Sequence, residues 1–213
     1  MSKGETSSFW FDLLIGPLVA MVHRPAVKLA GPTPRERIIE IGAGTALQLR
    51  RYAGEDRFLV GADHDPGMAA RGVRNLRGRG AMILADAASL PFPAGSFDLA
   101  LCSLVIHEMP PAARPILLAE AARVMTDDGR MVIIDFGTGA PTRAAGRFSR
   151  KMIRAIERKV GGDHYRNYLD YASRGGLDPL IGVSPFEIAG ESEVGDGGIR
   201  IVLLKRPGTG RAQ

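Results

Sequence analysis

Three carboxylates and two glycines stand where short apolar runs end, and their types and spacing could bind a nucleoside. Glu40-Ile41-Gly42-Ala43-Gly44-Thr45-Ala46 closes the run that starts at Arg37. Asp63 comes nineteen residues after Gly44, at the end of Phe58-Leu59-Val60-Gly61-Ala62, and Asp86-Ala87 follows Ala81-Met82-Ile83-Leu84. Gly42 and Gly44 would let the backbone turn tightly against a ligand, with the amides of the next helix facing it. A carboxylate about 20 residues past such a turn can accept hydrogen bonds from two ribose hydroxyls. Taken singly, Asp63 and Asp86 are equally good loop or cap residues, and a G-x-G pair occurs in many tight strand–helix turns. The dinucleotide pattern G-x-G-x-x-G/A has Leu47 at its last position here, which argues against a nicotinamide or flavin site.

Positioning these groups requires parallel strands with their carboxyl ends on one side. The runs 37–41, 58–62, 81–84, 97–103 and 131–136 are short, apolar and bounded by Gly, Pro or Asp, as buried parallel strands are. Between them, residues 45–52, 66–76 and 112–125 carry helical patterns. Further on, 143–160 and 165–173 suit helices, and 186–192 and 198–204 suit two strands joined through Val194-Gly195-Asp196-Gly197. Strand and helix in alternation predict an α/β, doubly wound sheet, and the closing strand pair predicts an antiparallel edge. One domain over 31–204 is expected, with 1–30 an N-terminal helical extension, 138–180 a helical cover and 205–213 a loose tail.

These motifs resemble the class I S-adenosylmethionine-dependent methyltransferases, in particular the branch near the ubiquinone/menaquinone and phospholipid methyltransferases. The resemblance runs through IIEIGAGTA (38–46), VGADHDPGM (60–68), ADAASLPFPAGSFDLALCSLVIHEMP (85–110) and RVMTDDGRMVIIDF (123–136). It implies a Rossmann-like, seven-stranded, mostly parallel sheet with an antiparallel strand at one edge. The implied cofactor is S-adenosyl-L-methionine, leaving S-adenosyl-L-homocysteine as product. By the same resemblance Glu40 would lie near the methionine ammonium, and Gly42, Ala43 and Gly44 under the methionine and ribose. Asp63 would bind the ribose hydroxyls and His64 would pack on the adenine. Asp86 and the Ala87 backbone would meet the adenine edge, and the Ser103 carbonyl would face the methionine moiety. Two positions depart from the pattern: Ala46 stands where a third glycine is common, and His64 where an aliphatic residue is usual.

The sulfonium is already activated, so the protein's main task would be to orient the acceptor and exclude water. A base is needed only where the acceptor keeps a proton at attack. Ser103-Leu104-Val105-Ile106-His107-Glu108-Met109-Pro110 leaves the fourth strand toward the implied donor, which makes His107 and Glu108 the candidate bases. Asp98 reads as a structural residue at the turn into that strand. Acceptor contacts are expected from elements above the strand ends, with Trp10, His164 and Tyr165 as candidates. Phe148, Met152, Ile156 and Val160 recur at i, i+4, so this helix either covers the sheet or meets an anionic lipid headgroup or acidic substrate with a basic amphipathic face.

Charge supports a local role for that helix. Of the 213 residues, 45% are hydrophobic and 24% charged, for a net of +5. Residues 141–160 hold Arg143, Arg147, Arg150, Lys151, Arg154, Arg158 and Lys159 against Glu157 alone, a net of +6, so the remainder sits at −1. A near-neutral body with 6% aromatics and no second domain argues against nucleic acid and for a small-molecule or lipid acceptor, with peripheral membrane contact as an option. The single Cys102 forms no intramolecular disulfide, and a cytoplasmic setting is expected. Four histidines and one cysteine show no metal-ligand spacing, so no metal site is expected. The apolar stretch 13–22 is too short and too broken by Gly16-Pro17 for a membrane span, which needs about 20 residues. A non-catalytic module that keeps the nucleoside pocket is the alternative of a different class, separated from an enzyme by turnover of labelled donor.

Overall fold

The computed structural model describes residues 21–54 and 56–208. Among these residues seven strands form one sheet: β1 (Arg37–Ile41), β2 (Phe58–Asp63), β3 (Ala81–Leu84), β4 (Phe97–Ser103), β5 (Met125–Phe136), β6 (Glu187–Val194) and β7 (Ile199–Lys205). Their spatial order is β3-β2-β1-β4-β5-β7-β6. Pairing is parallel from β3 through β5, while β7 runs antiparallel to both β5 and β6. The expected antiparallel pair at one edge is therefore present, with the reversed strand lying just inside the edge strand β6. In β5, Met131–Phe136 are buried without a break, as a strand covered on both faces must be.

The helices are α1 (described over 21–30), α2 (Pro66–Leu76), α3 (Ala113–Val124), α4 (Ala144–Val160), α5 (Gly162–Ser173) and α6 (Leu177–Gly182). Asp65 caps α2 by accepting from the Met68 amide at 2.8 Å, and Pro66 occupies the first helical turn, where a missing N–H costs nothing. Val22, Ala26 and Ala30 bury one face of α1, and Arg130 of β5 donates to the Ala30 carbonyl at its C-terminus. The rest of the expected N-terminal extension, Trp10 included, lies outside the described residues. No helix among the described residues is long and apolar enough to cross a membrane.

Three expectations change. Residues 45–52 form only a single 3₁₀ turn, Leu49–Tyr52, because Ala46 sits at φ +58° and ends any regular helix before it starts. Arg57 holds the shortened connection by donating to the carbonyls of Pro32, Thr33 and Tyr52. Two residues of the expected tail are held: Lys205 pairs in β7, and Arg206 is bound by Asp127 at 2.7 Å. On α4, the i, i+4 stripe does not pack on the sheet. Phe148, Met152 and Val160 are exposed, while Ile153 and Glu157 face inward.

Candidate functional site

The sheet's strand order reverses between β1 and β4, and a cavity of 820 Å³ opens at the carboxyl ends of the strands beside that point. Glu40, Gly42, Ala43, Gly44, Asp63, His64, Asp86, Ala87 and Ser103 all line it. Glu108 and His164 line its other end; His107 and Tyr165 do not.

The glycine turn is held by side chains from its neighbours. Gly42 adopts φ +68°, and a Cβ there would fall 2.5 Å from Val105 Cγ2, so the loop after β4 packs where a side chain would stand. Gly44 adopts φ +53° and a Cβ would meet nothing within 4 Å. The Asp63 carboxylate accepts from the Gly44 amide at 2.7 Å and the Asp65 amide at 2.9 Å. A carboxylate has about four acceptor positions, so two amides leave it able to take hydroxyl groups as well. Asp86 closes its own turn by accepting from the Ala88 amide at 2.9 Å. His64 projects outward, 4.0 Å from Asp63.

Glu40 is buried and accepts from the Leu49 amide at 2.9 Å, tying the strand end to the 3₁₀ turn. Burial pushes its carboxyl up to about 8, and Asp63 nearby adds to the rise. A cation arriving beside it would draw it back to the charged form. Asp98 is structural as expected: it accepts from the Arg37 guanidinium and main-chain amide at 2.7–3.1 Å, on the opposite end of the strands.

The far wall of the cleft is built from distant segments. Arg114, fully buried, donates to the carbonyls of Ile106, Met109 and Asn167 and pairs with Asp170 at 2.8 Å, which fastens α5 to the loop after β4. Asn167 donates to the Glu108 carbonyl at 2.7 Å. Behind this wall lies a chain of alternating carboxylates and imidazoles. Asp135 Oδ1 is 2.7 Å from His107 Nδ1, and His107 Nε2 is 3.8 Å from Glu157 Oε1. Glu157 Oε2 is 2.6 Å from His164 Nε2, and His164 Nδ1 is 3.0 Å from Glu108 Oε2. Burial alone would lower both imidazoles. Asp135 and Glu157 nevertheless raise His107, and Glu108 with Glu157 lift His164 to about 10. His107 therefore lies within the wall, and Glu108 and His164 are the members that reach the cavity. Tyr165 stacks on Tyr168 at 6.2 Å, away from the cavity.

Glu157, Asp135, Arg114 and Asn167 were not among the expected site residues. Glu157 did leave a signal, being the one acidic residue in the basic stretch 141–160.

Residues 39–133 match the family model of the methyltransferase domain. A demethylmenaquinone methyltransferase of Beutenbergia cavernae is 32% identical over 127 residues, 60% of this chain and 52% of that protein. A ubiquinone/menaquinone biosynthesis C-methyltransferase of Citrifermentans bemidjiense is 33% identical over 124 residues, 54% and 52% of the two chains. These matches are all to methyltransferases, in keeping with the resemblance to the class I S-adenosylmethionine-dependent methyltransferases. The chain spans about half the length of the curated relatives it matches. The fold agrees: a methyltransferase of Aquifex aeolicus superposes with a TM-score of 0.61 at 15% identity, over 85% of this chain and 88% of that one. The matched region holds the glycine turn, Asp63, Asp86 and His107, whereas Glu157 and His164 lie beyond it.

Proposed function

We propose that this chain transfers a methyl group from S-adenosylmethionine to a ring carbon of a small, lipid-like, quinone-related acceptor. The observation that carries the donor assignment is the convergence of Glu40, the glycine turn, Asp63 and Asp86 on one cavity at the strand ends. The donor fits these groups. Glu40 offers a buried carboxylate to an ammonium, Asp63 has acceptor positions left for ribose hydroxyls, and Gly44 leaves open space where a side chain would intrude. Ala43, His64 and Ala87 would line the nucleoside, and the Ser103 carbonyl the methionine end. When bound, the sulfonium supplies an activated methyl group.

The acceptor assignment rests on the printed activities of the relatives and on the chemistry of the far wall. Carbon methylation of a phenolic ring needs a base for the hydroxyl proton and, later, for the ring proton. Glu108 reaches the cavity and is oriented by the His164 Nδ1 at 3.0 Å, so it is the group placed to take that proton. His107 would act behind it, as a positioning residue.

The outward stripe of Phe148, Met152 and Val160, flanked by the exposed Arg147, Lys151 and Arg158, supports contact with an anionic membrane surface from which a lipid-like acceptor is drawn. Arg150 serves a different purpose, donating to the carbonyls of Thr138 and Gly197.

Incubation with labelled donor and a panel of reduced naphthoquinones, benzoquinones and unrelated phenols tests the reading. Label in a ring carbon of a quinol, abolished in Glu108→Gln, is the expected result. Turnover confined to oxygen or nitrogen acceptors would overturn the quinone assignment, and silence across all acceptors despite product binding would favour a non-catalytic module.

A further inference from the structure

The wall of the cleft holds an arrangement that methyl transfer from an activated donor does not itself require. His107, Glu157 and His164 come from the loop after β4, from α4 and from α5, and their ligand atoms all lie within 4.8 Å of one another. The two rings are aimed alike. Each has its Nδ1 beside a backing carboxylate, Asp135 at 2.7 Å and Glu108 at 3.0 Å, and each turns its Nε2 toward the shared Glu157 carboxylate, at 3.8 and 2.6 Å. A carboxylate behind an imidazole fixes the Nδ1–H tautomer and leaves the Nε2 lone pair for a cation, as in protein metal sites. The spacing in sequence hides this, because positions 107, 157 and 164 are brought together only by the fold.

We propose that His107, Glu157 and His164 form a divalent transition-metal site that clamps α4 and α5 over the acceptor end of the cleft, with zinc the favoured ion. Two imidazoles and one carboxylate suit zinc or ferrous iron and disfavour magnesium and calcium, which are held by oxygens. Tetrahedral ligands about 2.1 Å from an ion stand roughly 3.4 Å apart, and one ligand atom from each of the three residues already lies within 4.8 Å of the other two. Small side-chain movements therefore complete the site. The charges also balance: three carboxylates surround the two rings, and a divalent cation with neutral imidazoles supplies the same positive charge as two imidazolium groups. His107 and Glu157 are buried, and His164 borders the cavity, which gives an ion a route in. Three protein ligands leave a fourth position for water.

Titrating the chelator-treated full chain with Co²⁺, followed by visible absorption and by thermal unfolding, tests the site. One tightly bound ion per chain is expected, with the absorption of a low-symmetry nitrogen–oxygen site, stoichiometric displacement by Zn²⁺ and a raised Tm. Mg²⁺ should not compete. Glu157→Gln and His164→Ala should each weaken binding at least a hundredfold, Glu108→Gln about tenfold to a hundredfold, and the exposed His64→Ala not at all. His164 is part-exposed, so its variant decides the matter should Glu157→Gln fail to fold. Absence of a one-to-one Co²⁺ complex, or affinity unchanged in His164→Ala, would overturn the proposal. Donor binding is measured separately, so this outcome is independent of the methyltransferase assignment.

Discussion

The two ends of the cleft are built in different ways. The proposed donor end is local: Asp63 reaches the Gly44 amide, Asp86 closes a turn on Ala88, and each element follows directly from its own strand. The proposed acceptor end is assembled across the chain, where Arg114 joins Asn167 and Asp170, and His107 approaches Glu157 over a separation of 50 residues. Backbone turns carry the first, and paired buried charges carry the second. The donor end should therefore fail through loss of backbone geometry, and the acceptor end through unpaired charge.

The largest effect is expected at the acceptor end. Arg114→Met would strip three carbonyls of their buried donor, although Arg174 keeps Asp170 paired at 2.8 Å, and should destabilise the protein by about 2–4 kcal/mol in chemical denaturation. A loss under 1 kcal/mol would mean that the cover does not depend on this residue. Within the donor end, two glycines separate fold from function. Gly42→Ala should cost stability and binding together, because its Cβ meets Val105 at 2.5 Å. Gly44→Ala should cost only about 1 kcal/mol of stability for its positive φ, yet weaken S-adenosylhomocysteine binding strongly. Equal behaviour of the two variants in paired melts and calorimetry would contradict the difference drawn between them.

The contrast between the ends also explains what the sequence disclosed. Strands 37–41, 58–62, 81–84 and 97–103 were readable because they are buried apolar runs closed by Gly or Asp, and the glycine turn with Asp63 and Asp86 lies within their ends. The helix expected over 45–52 does not form, because a residue held at positive φ, as Ala46 is, leaves no periodic signature in the sequence. The stripe on α4 was visible, but not the direction in which it points, since periodicity gives a face and tertiary packing chooses which face is buried. Glu157 and His164 gain their roles only when α4 and α5 fold back over β4 and β5, so no spacing could announce them.

Titration sharpens the comparison with smaller effects. His164 is raised to about 10 from its ordinary 6.5, so the stability it confers is complete below 6.5 and is lost as pH rises through 10. In metal-free protein, His164→Gln should cost about 1–3 kcal/mol at pH 6, with the gap narrowing by pH 10.5 in urea unfolding. Glu40 has the opposite consequence for a carboxylate. Raised to about 8 from 4.5, its neutral form favours the fold at low pH, and that benefit is lost as pH rises through 8. Glu40→Gln should thus melt above the wild type at pH 9 and close to it at pH 4.5, while wild-type affinity for S-adenosylhomocysteine gains from deprotonation of Glu40 and the variant's does not. A pH-independent Tm difference would contradict the buried-carboxylate account.

The central claim, that the donor end binds S-adenosylmethionine through strand-end carboxylates independently of the cover, is tested most directly by calorimetric titration of S-adenosylhomocysteine into the wild type, Asp63→Asn and Glu157→Gln. The account predicts one-to-one binding to the wild type, a loss of about thirtyfold or more in Asp63→Asn, and affinity within a few-fold of wild type in Glu157→Gln. Unchanged affinity in Asp63→Asn, in a protein of unaltered circular dichroism, would contradict it.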